Sequence, residues 1–149
     1  MLRLREQEVM QRIAFDIGGV LSKYPGKFRP FVAALLHAGI EVFIITDMHD
    51  VEKIYEMLVM NDFGMIPKSN VYSADYAEHG DGCKAELLRE LEIDLFFDDH
   101  LPYMMLPGDT IQALVMPTAF KPYWSPEWKV PEGSDPDFGR RFYKKGWPL

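Results

Sequence analysis

Short apolar segments alternate along this chain with segments of helical periodicity, and this alternation restricts the fold more than any other feature. Residues 11–17 (QRIAFDI), 41–46 (EVFIIT) and 94–97 (DLFF) are apolar and rich in β-branched or aromatic residues, as is typical of strands buried on both faces. Residues 70–73 and 111–116 are predicted to form two more strands. Strands that alternate with helices need crossover connections, so the chain predicts a Rossmann-like three-layer α/β sandwich around a central parallel sheet.

Three segments between these strands carry the helical pattern. Apolar residues recur at helical spacing in residues 27–38, and Gly39 supplies a C-terminal stop. Asp50 is a good N-cap for a helix that runs through Asn61. A third helix with a stripe of leucines is predicted over residues 84–91. The three predicted helices supply the connections that a parallel sheet requires.

The composition divides the 149 residues into a core, residues 1–116, and an extension, residues 117–149. The core carries 10 Lys and Arg against 19 Asp and Glu, whereas the extension carries 6 against 4. The extension also holds 8 of the 20 aromatic residues and 6 of the 11 prolines. Because an acidic surface repels phosphate, the core is a poor candidate for a broad nucleic-acid interface.

The extension has three interpretations. It packs against the core in extended form and buries Trp124, Trp128 and Trp147, it covers the functional site as a lid, or it binds a partner or a nucleic acid. The third interpretation depends on residues 140–145 (RRFYKK), which mix basic and aromatic side chains as single-strand binders do. Packing is favoured, because aromatic residues at this density are rarely left in water. The basic run alone is too short to indicate nucleic acid.

Cysteine content and hydropathy predict a cytoplasmic protein without a membrane segment. Cys83 is the single cysteine, which excludes an internal disulfide framework and a cysteine-based zinc cluster. No apolar run approaches the roughly 18–20 residues that a membrane span needs. The first ten residues, MLRLREQEVM, are charged and contain no hydrophobic signal core.

Polar side chains follow the predicted strands where each of them ends, and ligands of open parallel sheets bind outside these carboxyl ends. The first strand ends at Asp16, the second at Thr46 and Asp47, and a later strand at Asp98 and Asp99, while Lys84 begins the preceding helix. Clustered carboxylates repel one another unless a cation neutralises them, and an oxygen-rich site of this kind suits Mg²⁺. A hydroxyl and an ammonium beside the ion would hold phosphate oxygens, and one carboxylate could attack phosphorus.

The four segments that carry these residues resemble the haloacid dehalogenase-like (HAD) superfamily of phosphotransferases and hydrolases. FDIGGVL contains Asp16 in the nucleophile position, and IIT contains Thr46. GCKAELL matches the third motif with Lys84, and LFFDDH matches the fourth with Asp98 and Asp99. Each motif is weak alone, but all four occur in the family's order within residues 12–116.

The resemblance implies a phosphatase that forms an aspartyl-phosphate on Asp16. It implies Mg²⁺ bound by the Asp16 carboxylate, the main-chain carbonyl of Gly18 and an acidic residue of the fourth motif. This residue is either Asp98 or Asp99, and Asp99 is favoured as the direct ligand, with Asp98 behind it. It also implies a phosphoryl group held by Thr46, Lys84 and the main-chain N–H of Asp47. The intervals between the motifs leave no room for the cap domain that selects substrates in many members of the family.

One position departs from the family pattern. Gly18 stands where phosphatases of this family usually carry a second aspartate as general acid and base. The metal ligand is retained, because the family uses the main-chain carbonyl there, but the proton shuttle is lost. The sequence thus predicts a weakened Mg²⁺-dependent phosphatase acting on a phosphorylated substrate. The alternatives are a catalytically impaired module that binds phosphate and metal, and a phosphatase that processes nucleic-acid ends.

Overall fold

The computed structural model describes residues 9–100, 109–116 and 124–134, and a five-stranded sheet lies at its centre. The strands are β1 (Arg12–Phe15), β2 (Glu41–Thr46), β3 (Val71–Ser73), β4 (Leu95–Asp98) and β5 (Ile111–Leu114). They lie in the order β3-β2-β1-β4-β5, and every neighbouring pair is parallel. The helices are α1 (Pro25–His37), α2 (Val51–Met60), α3 (Tyr76–His79) and α4 (Cys83–Glu90), with 3₁₀ turns at Lys68–Asn70 and Gly80–Gly82. No helix in the described ranges is long and apolar enough to cross a membrane.

Helices cover both faces of the sheet. On one face, Phe15 of β1 belongs to a core that includes Val32 of α1 and Ile54 of α2. On the other face, Ala14 of β1 packs in a second core with Leu88 of α4. Successive side chains of a strand point to opposite faces, which is why β1 contributes to both cores. The predicted Rossmann-like three-layer sandwich with a central parallel sheet is confirmed.

Most element boundaries follow local sequence signals. β2 has the predicted bounds, and α2 begins directly after Asp50, whose carboxylate accepts a hydrogen bond from the Lys53 N–H at 3.2 Å. α1 begins at Pro25, two residues before the predicted start, because proline suits the first turn of a helix. After α1 ends at His37, Gly39 has a φ of +83°, a conformation that favours glycine.

The end of β1 lies at the point where the strand order reverses, because β2 and β3 are added on one side of β1 and β4 and β5 on the other. β1 pairs with β2 on one side, where Phe15 aligns with Ile44, and with β4 on the other, where Phe15 aligns with Phe97. The rings of Phe15 and Phe97 stack with centroids 5.0 Å apart. In doubly wound sheets a crevice opens at this reversal, outside the carboxyl ends of the strands. Asp16 follows β1 directly and therefore lies at this crevice.

Residues 124–134, the described part of the extension, pack against the core. Trp128 is 5% exposed, and its ring lies 6.0 Å from that of Phe63. The side chain of Asn61 bonds to both the main-chain carbonyl and the N–H of Lys129, at 2.8 Å each. Ser125 N–H donates to the carbonyl of Ser22, in the loop that follows Asp16.

The division into a core and an extension stays a prediction, as do the lid and partner interpretations. Trp147 and residues 140–145, on which the partner interpretation depends, lie outside the described residues.

Candidate metal and phosphate site

Asp16 is held by main-chain hydrogen bonds at the carboxyl end of β1. Its N–H donates to the carbonyl of Phe97 in β4 at 2.9 Å, and its Oδ1 accepts from the Ile17 N–H at 2.8 Å. The chain then makes a tight turn, Ile17–Leu21, in which Gly19 has a φ of +71°. Asp16 is 2% exposed. The turn leads the chain away from the sheet and leaves the carboxylate at its edge.

Lys84 lies near the start of α4 and joins two carboxylates. Its Nζ is 2.8 Å from Asp98 Oδ2 and 3.3 Å from Asp16 Oδ1. The three side chains are almost completely buried, so these ion pairs are poorly screened by water and salt. The ring of Phe96 also lies 5.4 Å from the ammonium, within the range of a cation–π contact. Lys84 therefore fixes Asp98 relative to Asp16.

Asp98 and Asp99 place two more carboxylates beside Asp16. Asp98 Oδ1 accepts from the main-chain N–H groups of Asp99 at 2.7 Å and His100 at 3.1 Å. One oxygen from each of Asp16, Asp98 and Asp99 lies within 4.8 Å of the others, and all three residues are buried. A set of three oxygen ligands of this size fits a hard divalent cation.

Burial raises the pKa of the Asp16 carboxyl well above its ordinary value, and the Lys84 ammonium opposes this shift. The neighbouring carboxylates of Asp98, Asp47 and Asp99 raise this pKa further. For Lys84, burial lowers the pKa, but the charges of Asp16, Asp98 and Asp47 raise it more, so its pKa lies above its ordinary value. The ammonium is therefore protonated, and the carboxylates around it outnumber it. A divalent cation would neutralise this excess.

Thr46 and Asp47 lie at the end of β2, next to β1 in the sheet. Thr46 is fully buried, and its Oγ1 accepts from the Met48 N–H at 3.2 Å. The Thr46 carbonyl accepts from the Ala74 N–H at 2.7 Å, which joins this end of β2 to the end of β3. Asp47 is 9% exposed, and its charge acts on both Asp16 and Lys84. Both residues thus lie at the edge that carries the carboxylates.

The structure brings four of the predicted site residues into mutual contact or close range: Asp16, Lys84, Asp98 and Asp99. Gly18 lies in the turn after Asp16, with φ −62° and ψ 130°. Sequence reasoning missed Lys23 and Asn61, which are 5% and 2% exposed. No periodic pattern marks either residue, because the burial of a polar side chain in a loop depends on distant segments that pack over it.

Comparisons of this chain with protein-family models, with curated proteins and with solved structures found no match.

Proposed function

We propose that this chain is a HAD-like hydrolase that transfers the phosphoryl group of a phosphate monoester to Asp16 and then to water, in the cytoplasm. The observation that carries the proposal is the buried ion pair of Lys84 with both Asp16 and Asp98, beside Asp99. A buried group of like charges costs folding free energy, so the excess of carboxylates needs an explanation outside stability. Binding of a cation and a phosphoryl group would explain why these carboxylates are present.

Mg²⁺ is the cation that these residues suit. Oxygens of three carboxylates lie within 4.8 Å of one another, and Mg²⁺ is usually bound by one or two of these groups, with the remaining positions left for water and phosphate oxygens. Both oxygens of Asp98 already have partners, Lys84 on one and two main-chain N–H groups on the other. Asp16 and Asp99 would therefore be the direct ligands, together with the main-chain carbonyl of Gly18, while Asp98 holds Lys84. Mg²⁺ bound there would neutralise charge on the phosphoryl group.

The reaction proceeds in two displacements on phosphorus. An oxygen of Asp16 attacks, the new Asp16 O–P bond forms, and the P–O bond to the leaving group breaks. Lys84 and Thr46, with the Asp47 N–H, hold the phosphoryl oxygens in both steps. Water then attacks phosphorus, inorganic phosphate leaves, and the Asp16 carboxylate is restored. The leaving group takes its proton from solvent, and the attacking water loses one to solvent.

Gly18 favours a second candidate function. Loss of a general acid and base costs roughly 10²–10⁴ in rate. A chain with the metal and phosphate site intact but without this group would retain binding and lose useful turnover. The second candidate is therefore a phosphate- and metal-binding module, and it differs from the first only in the covalent step.

Hydrolysis of an aryl phosphate with Mg²⁺ tests the proposal, with wild type compared with Asp16→Asn. We expect turnover that requires Mg²⁺ and falls at least ~10³-fold in Asp16→Asn, because an amide is a poor nucleophile. Asp62→Asn is the matched control, since the Asp62 side chain is 82% exposed at the end of α2. Equal activity in wild type and Asp16→Asn would rule out the mechanism.

Single-turnover labelling distinguishes the two candidates. Acid quench of the protein after mixing with a radiolabelled aryl phosphate should trap label on Asp16 if the covalent step occurs. Saturable Mg²⁺ binding without any trapped label would favour the binding module.

A further inference from the structure

A positively charged cluster, Lys23, Tyr24 and Lys27, lies where the loop after Asp16 meets α1, and the proposed reaction does not use it. Lys23 is 5% exposed, and lysine is almost never buried to this degree unless it is paired. Among the described residues, none of the ion pairs within 4.0 Å involves Lys23. Its Nζ instead lies 5.8 Å from the centroid of the Tyr24 ring.

The N-terminus of α1 lies at the same cluster. Tyr24 is the N-cap residue of this 13-residue helix and makes no side-chain hydrogen bond to its first turn, which also contains no acidic residue. The Nζ of Lys27, an exposed side chain of that turn, lies 5.8 Å from the Tyr24 centroid. Helix N-termini carry a partial positive charge and bind anions. Two ammonium groups and a helix terminus therefore surround Tyr24.

Main-chain hydrogen bonds fold this cluster back toward Asp16. Ser22 N–H donates to the Ile17 carbonyl at 2.9 Å, and Tyr24 N–H donates to the Val20 carbonyl at 3.1 Å. Lys23 thus lies between two residues that are bonded to the turn after Asp16. Since α1 follows β1 in a parallel sheet, its N-terminus lies at the carboxyl edge, where the carboxylates lie.

We propose that Lys23, Lys27 and the N-terminus of α1 bind a second phosphate group, carried by the leaving group of the substrate. The preferred substrate is then a small bisphosphate, with one phosphate at Asp16 and the other at Lys23. A buried ammonium without a carboxylate partner gains more from a phosphate than an exposed one does, because water screens it less. Lys23 acts in recognition and takes no part in bond breaking. This inference rests on the proposed function, which defines the first phosphate position.

Binding of non-hydrolysable phosphonates tests the inference without turnover. The probes are propane-1,3-bisphosphonate and hexane-1,6-bisphosphonate, each compared with the alkylphosphonate of the same chain length, at constant Mg²⁺ and ionic strength. Titration calorimetry on the wild-type full chain should give at least one bisphosphonate that binds ~10-fold more tightly than its alkylphosphonate. A ratio of about 2 is expected from having two equivalent ends alone, so a ratio of 2 or less for both chain lengths overturns the inference.

Substitutions of the two lysines test whether the cluster causes the tighter binding of the bisphosphonate. Lys23→Gln and Lys27→Gln should each reduce the bisphosphonate-to-alkylphosphonate ratio to about 2–3, with the alkylphosphonate affinity changed less than ~2-fold. Lys27 is exposed, so its variant keeps the test valid if Lys23→Gln fails to fold. Lys68→Gln is the matched control, because Lys68 pairs with Glu52 before the amino end of β3. An equal loss in Lys68→Gln, or an unchanged ratio in Lys27→Gln and in any folded Lys23→Gln, would overturn the inference.

These outcomes separate the inference from the proposed function. A bisphosphonate preference that depends on Lys23, in a protein without Asp16-dependent aryl-phosphate turnover, would reject the enzyme and keep the second anion site. Turnover that depends on Asp16, without any bisphosphonate preference, would reject the second anion site alone.

Discussion

Lys84 and Asp98, from the start of α4 and the end of β4, form a fully buried ion pair in which Nζ lies 2.8 Å from Oδ2. The same ammonium is 3.3 Å from Asp16 Oδ1, so it joins the proposed nucleophile to the residue beside the proposed metal ligand. The pair orders the site before any ligand arrives. Because the pair is buried, a substitution that changes the charge of the site should also change the free energy of unfolding.

Lys84→Met should be strongly destabilising, because it removes the ammonium and leaves its carboxylate partners buried. We expect a loss of about 3–5 kcal/mol in the free energy of unfolding, measured by urea denaturation without divalent cations. Lys68→Met, at an exposed ion pair, should cost less than about 1 kcal/mol. A loss in Lys84→Met no larger than that of the control would contradict the role given to Lys84.

Asp99→Asn should have opposite effects on the metal-free protein and on metal binding. The Asp99 charge raises the pKa of Asp16, so removing it relieves repulsion and should increase the free energy of unfolding of the metal-free protein. The same change removes a proposed ligand, so the increase in Tm that Mg²⁺ gives the wild type should be largely lost. Thermal unfolding with and without Mg²⁺ measures both effects. Asp62→Asn should retain the full Mg²⁺ response, and an Asp99→Asn protein that also retains it would exclude Asp99 as a ligand.

Gly18→Asp should increase turnover, since the main chain already has a conformation that aspartate adopts. The φ of −62° and ψ of 130° at Gly18 lie in the extended region open to all residues. A carboxyl group there could protonate the leaving group, which matters most for alkyl phosphates with poor leaving groups. We expect a gain of ~10–10² in kcat/KM for an alkyl phosphate and a smaller gain for an aryl phosphate. Equal gains for both would argue against proton transfer as the missing function.

Asn61→Leu should weaken the attachment of the extension. The Asn61 side chain donates to the carbonyls of Met57 at 2.7 Å and Lys129 at 2.8 Å, and it accepts from the Lys129 N–H at 2.8 Å. Leucine has a similar size but leaves these main-chain groups without their partners, at a cost of about 2–4 kcal/mol. Urea denaturation measures the loss, and limited proteolysis should show faster cleavage near residue 129. Unchanged cleavage and stability would show that these hydrogen bonds do not hold the extension.

The fold was largely predictable because its elements depend on local patterns. β2 was predicted with its observed bounds, since a run of apolar β-branched and aromatic residues followed by polar ones marks a buried strand. α2 was predicted from the Asp50 cap and the spacing of its apolar residues. The start of α1 was placed two residues late, because the helical spacing of apolar residues begins after Pro25.

The residues of the candidate site could be predicted from the sequence, but the orientation of their side chains could not. The positions of Asp16 and Asp98 after apolar strands placed both at one edge, because parallel strands end at the same side. That Asp98 uses one oxygen for Lys84 and the other for two N–H groups could not be predicted, since side-chain orientation depends on packing around α4.

The sequence by itself determined the parallel sheet and the residues that end its central strands, because apolar periodicity and strand-end position are local properties of the chain. Only the tertiary structure decided that Asn61 holds the extension through Lys129, 68 positions away, and that Lys23 is buried beside Tyr24. The Asn61 contacts join segments distant in sequence, and Lys23 lies next to Ser22, whose carbonyl accepts from the Ser125 N–H. Burial of this kind is a property of the packed molecule, so no local pattern in the sequence records it.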